Sequence, residues 1–111
     1  MNAEKTAVPG CRGTTVERLL FEDSLQVLKV AVEPGGEIPL HSHDCAATMV
    51  ITKGIARTLG KNGRTVRKGE TVVKAANEPH GFTDVQEPFE FISISDNGGI
   101  MRVDGWDMKY A

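Results

Sequence analysis

The chain has 111 residues, 40% of them hydrophobic and 25% charged, with a formal net charge of −2. That length fits one domain, residues 1–111, burying roughly 65% of its unfolded surface without disulfide staples. Both signs of charge are dispersed, so no nucleic-acid partner is expected, and no apolar run nears the ~20 residues that span a bilayer.

Residues 1 to about 12 read as a loose arm, and the start of the chain, Met1 to Lys5, has no apolar signal core. With only two cysteines, Cys11 and Cys45, the expectation is a cytoplasmic protein with reduced thiols. Glu17 to Phe21 is ambiguous between a helical turn and an edge strand. Leu25 to Val32 alternates as a half-buried strand does, and Pro34-Gly35-Gly36 interrupts it. Thr48 to Thr52 is a compact β-branched run. Gly54 to Leu59 and Thr65 to Arg67 flank Lys61-Asn62-Gly63-Arg64, whose Asn-Gly pair signals a hairpin. Thr71 to Lys74 and Phe89 to Ser95 complete the strands. After Ser95 the chain reads as loose again, with Trp106 and Met108 docking somewhere. No segment keeps a helical period, so the class is all-β, a sandwich or barrel with its core at about residues 14–96. Met49, Ile51, Phe82, Phe91 and Ile94 are candidates for the lining.

The chemistry concentrates in three histidines, His41, His43 and His80, which are all the chain has. In a strand, residues i and i+2 share a face, so His41 and His43 can reach one ion. Cys45 continues that face if no bulge intervenes, and could be a soft fourth ligand; a buried cysteine is more often a small apolar side chain. Asp44 falls on the opposite face. Asp84 could orient a histidine, although a turn role is the simpler reading. Arg57, Arg64, Arg67 and Arg102 could clamp a carboxylate if one points inward. Tyr110 could serve the site only if the tail folded over the barrel. No Ser-His-Asp arrangement stands out.

Spacing adds more. Gly35, five residues, His41-Ser42-His43, then Gly54; Gly69, five residues, Ala75, then Asn77 and His80: this paired pattern resembles the two motifs of the cupin superfamily across about residues 25 to 95. Ala47 stands where that family has a ligand glutamate. Ala75 and Asn77 replace its proline and glycine, and Asp84 its asparagine. The resemblance implies a double-stranded β-helix, the jelly-roll barrel, with His41, His43 and His80 holding one divalent metal ion (Fe, Zn, Ni, Mn or Cu). It also implies a homodimer, with residues 14 to 32 contributing. Without the glutamate such a site keeps its full +2 charge and favours a small anionic or chelating substrate. Some three-His cupins are iron-dependent dioxygenases acting on thiols or diketones, which points toward oxygen chemistry. With zinc or nickel, isomerase or lyase chemistry fits better. The alternative is a non-catalytic cupin that binds a small ligand or metal as sensor or carrier.

Overall fold

The computed structural model describes residues 4–103 and 105–111, and every regular element among them is a strand. No helix long and apolar enough to cross a membrane is present among them. The elements in chain order are β1 (Lys5–Ala7), β2 (Arg12–Glu22), β3 (Leu25–Ser42), β4 (Ala47–Lys53), β5 (Ile55–Gly60), β6 (Thr65–Arg67), β7 (Thr71–Lys74), β8 (His80–Thr83), β9 (Phe89–Ser95), β10 (Met101–Arg102), β11 (Gly105–Trp106) and β12 (Lys109–Tyr110).

The long strand β3 organises the barrel. Its first half, to Val32, runs between β2 and β9. β4 lies beyond β9 and β7 beyond β4. Its second half leaves that sheet and runs against β8, with β5 and β6 beyond. The transfer happens at Glu33-Pro34-Gly35-Gly36. Gly35 takes a φ of 81°, a left-handed conformation that costs glycine little, and its N–H bonds the Val85 carbonyl at 2.8 Å. All of these pairings are antiparallel, and the curled sheet is a double-stranded β-helix.

Inward residues follow the period of two. In β9, Phe89, Phe91, Ser93 and Ser95 are buried while Ile94 faces outward. Phe82, Phe89 and Phe91 form a triad with ring centroids 4.9 to 5.8 Å apart, a spacing at which tilted aromatic rings attract beyond their burial. Of the expected lining residues, Met49, Ile51, Phe82 and Phe91 are buried, and Ile94 is the exception.

The ambiguous Glu17 to Phe21 segment is strand, its pairing with β3 interrupted by a bulge between Arg18 and Leu20. Both ends expected to be loose are engaged. Lys5–Ala7 pairs with β2 and Val8 is buried, while residues 1–3 of the expected arm lie outside the described residues. At the other end, the Gln26 side chain is wholly buried. It accepts from the Ile100 and Met101 N–H groups at 2.8 and 3.0 Å and donates to the Met101 carbonyl at 2.7 Å. That bracket ties the C-terminal tail to β3.

Candidate metal centre

A bulge sets up the site. β3 and β8 pair at Ile38 with Phe82 and again at His41 with His80, so three steps on one strand match two on the other. The extra residue reverses the phase of β3. Ile38 points inward, and after Pro39 and Leu40 so does His41. β8 passes very close here. A Cβ on Gly81 would collide with the Ile38 carbonyl oxygen and come within 2.9 Å of the Pro39 carbonyl oxygen, so only glycine fits beside His80.

The turn leading to His80 is held by its own residues. Asn77 has a φ of 64°, the left-handed conformation that asparagine tolerates where cupins use glycine. Its N–H bonds the His43 carbonyl at 2.7 Å, and Glu78 accepts from the Ala75 N–H at 2.9 Å.

These devices bring the three rings together. His41, His43 and His80 are all buried, with ring centroids 4.5 to 5.0 Å apart and one ligand nitrogen from each within 4.8 Å of the others. Each Nδ1 lies against a main-chain carbonyl: Pro39 at 2.7 Å from His41, Glu78 at 2.8 Å from His80, Asp107 at 2.5 Å from His43. A carbonyl only accepts, so each Nδ1 carries the proton and each Nε2 presents a lone pair.

Two such lone pairs, His41 Nε2 and His43 Nε2, stand 3.1 Å apart. Bare, they repel; a shared cation turns the contact favourable. Nitrogens each about 2.0–2.1 Å from one ion lie roughly 3–3.4 Å from each other, so the donor set fits a metal.

Burial is the main cause holding the imidazoles neutral. It drives His41 down to about 3 and His80 to about 4, and lowers His43 as well. At His41 the neighbouring His80 adds to the effect and the Pro39 carbonyl opposes it. Neutral imidazole is the metal-binding form.

The other candidates sort plainly. Ala47 is buried and lines the same cavity as the three histidines, so no carboxylate stands where cupins carry one. Cys45 is buried among core side chains outside that cavity. β3 ends at Ser42, so the period-two face does not extend to it. Its sulfur lies beside the buried side chain of Ser95. Asp84 has a φ of 57° and accepts from Gln86 at 3.0 Å, a turn residue away from the rings. None of the four arginines lines the cavity. Arg64 pairs with Glu70 and Arg102 with Asp107, both at 3.3 Å.

The tail supplies what the motif spacing does not show. Besides its carbonyl on His43, Asp107 uses its carboxylate to accept from the Asp44 N–H at 2.7 Å and from Arg102. β12 pairs with β3, placing Tyr110 opposite His41 with ring centroids 5.9 Å apart. The Tyr110 hydroxyl donates to the Pro9 carbonyl and lies 3.4 Å from Cys11 Sγ, and burial pushes the phenol's pKa up. Trp106 and Met108 dock into the cavity wall, as expected. No local signal marks Asp107 or Tyr110, because their partners are distant in sequence.

No family model and no curated protein matches the sequence. Solved structures do resemble it. A cupin-like protein from Thermotoga maritima aligns over 100% of this chain and 86% of its own, with TM-score 0.77 and 21% identity. The polyketide cyclase RemF from Streptomyces resistomycificus aligns over 85% of this chain and 73% of its own, with TM-score 0.75 and 23% identity. The DMSP lyase DddQ from Ruegeria pomeroyi aligns over 86% of this chain but only 56% of its own, with TM-score 0.75 and 22% identity. Strand order, curled sheet and these likenesses together make the chain a cupin in fold, with three buried histidines that could hold one metal ion.

Proposed function

We propose that the protein is a metal-dependent enzyme acting on a small anionic or chelating substrate, with His41, His43 and His80 as the ligands of one divalent ion. The observation that carries this is the convergence of three Nε2 lone pairs, each fixed by a main-chain carbonyl, on a cavity lined otherwise mostly by apolar side chains. A bound ion supplies Lewis-acid or redox chemistry there. The chain's own part is to keep three imidazoles neutral, to leave space at Ala47, and to keep water away with Phe82, Phe91 and Met49. A polyketide cyclase and a lyase of similar fold support an enzymatic role without choosing the reaction.

Metal analysis of protein purified without added metal tests the ligand set. About one equivalent per chain is expected, lost in His43→Ala and in His80→Ala; variants that keep full metal refute the assignment. Oxygen uptake with diketones, thiols and small phenols after ferrous loading then tests oxygen chemistry.

A second reading, a non-catalytic binder or carrier, has one observation in its favour. Among the described residues no Asp, Glu or Lys lines the cavity to serve as general base. Absence of turnover with full metal loading selects it.

We also place the protein in the cytoplasm as a homodimer. Free Cys11 and Cys45 are consistent with a reducing compartment. For the dimer, support comes from an outward row across five strands: Leu20, Val27, Ile94, Thr48 and Val73 sit side by side in register. Three of them, Leu20, Ile94 and Val73, are exposed, as interface residues of a separated protomer are. Sedimentation of the protein and of Ile94→Lys tests it: a dimer that becomes a monomer supports the assignment, and a monomer in both refutes it.

A further inference from the structure

We infer that the cavity selects a short-chain monoanion, with one anionic head at the three imidazoles and a short hydrocarbon tail running into the barrel. This rests on the metal reading above and narrows it.

Size is the first argument. The cavity holds about 50 Å³. That is small beside the roughly 300–1,000 Å³ of ordinary small-molecule sites, so the tail it takes is short.

Polarity is the second. Leu28, Val30, Ile38, Met49, Phe82 and Phe91 form much of the wall, and no charged side chain lines it among the described residues. Two of the polar atoms present are already committed. Thr14 Oγ1 donates to the Arg12 carbonyl at 3.0 Å, and Cys11 Sγ lies 3.4 Å from the Tyr110 hydroxyl. A second charged group on the ligand would meet no opposite charge in this wall and only Ser93 and Trp106 as further polar side chains, so burying it is costly.

Charge at the head is the third. Three neutral imidazoles with Ala47 beside them leave a divalent ion's charge uncompensated by the protein. The ligand has to supply the anion, and a carboxylate and a thiolate meet this demand equally.

The test uses the full chain loaded with cobalt(II), whose visible spectrum responds to a changed ligand sphere. Acetate, propionate, butyrate, hexanoate, malonate and propanethiol are titrated by absorption and by calorimetry. From acetate to butyrate, affinity should rise about threefold to fourfold per methylene, as apolar burial predicts. Hexanoate and malonate should each bind at least tenfold more weakly than butyrate. Comparing propionate with propanethiol shows which head the site takes. Met49→Ala should move the optimum to a longer tail. Should malonate or hexanoate match butyrate, or should no anion change the spectrum, the inference is overturned while the metal reading stands. Failure of cobalt to load overturns both.

Discussion

The imidazole of His43 and the main-chain carbonyl of Asp107 meet at 2.5 Å across 64 positions of sequence. One of the three candidate ligands is thus aimed by the tail of the chain. The Asp107 carboxylate keeps that carbonyl in place through the Asp44 N–H and Arg102. Asp107→Ala keeps the carbonyl but releases its anchor. Metal affinity should fall roughly tenfold, as losses around a ligand histidine generally cause. Chelator competition measures it, and unchanged affinity would show that the backbone holds its position unaided.

Gln26 makes a related prediction at a distance from the rings. Gln26→Leu leaves the Ile100 and Met101 N–H groups without their acceptor, at a cost of roughly 2–4 kcal/mol. Hydrogen exchange across residues 100 to 110 should accelerate well before the rest of the barrel opens. Uniform exchange would mean that the tail and the barrel open together.

Gly81→Ala places a methyl against the Ile38 and Pro39 carbonyl oxygens. Overpacking of this kind costs roughly 2–3 kcal/mol. Because His80 is the adjacent residue, metal binding should weaken along with stability. Thermal melts and metal titrations on the same sample check both, and a variant as stable as the parent would show that the two strands can part locally.

Stability should depend on pH with a definite sign. Folded, His41 titrates near 3 and His80 near 4, against about 6.5 for an unfolded histidine. Above pH 6.5 both states are neutral and these groups contribute nothing to the slope. From 6.5 down toward 4 the unfolded chain binds more protons, so stability falls as pH falls. His43, lowered too, acts in the same direction. Melting temperatures in chelator should drop steadily between pH 7 and 4.5, and a flat profile would contradict the buried, neutral state of the rings.

Ala47→Glu restores a carboxylate to a position on the cavity wall. Metal affinity should rise at least tenfold, through a fourth ligand and a charge of opposite sign. Weaker binding would mean that Glu at this position does not reach the ion.

The barrel was legible where the signal is local. The Asn62-Gly63 hairpin, the alternation of Phe89 to Ser95 and the His41-Ser42-His43 pair each lie within a few residues, and each is realised. Phase was harder to read. Ile94 has the composition of a lining residue, yet counting from Phe89 and Phe91 sets it outside. The bulge at Pro39 and Leu40 turns His41 inward, and no residue pattern announces an extra residue in a strand. Cys45 was placed by extending a strand that stops at Ser42. Contacts such as Asp107 with His43, or Tyr110 with Pro9 across 101 positions, leave no periodic trace at all.

The braces on the rings have an evolutionary corollary. Pro39, Glu78 and Asp107 each hold a histidine through an oxygen that every amino acid possesses. Point mutation can alter the side chains there but cannot delete those oxygens. A substitution at the three positions therefore acts on the imidazoles only by shifting the chain path, as loss of the Asp107 carboxylate or of the Glu78 carboxylate would, and never by removing the acceptor itself.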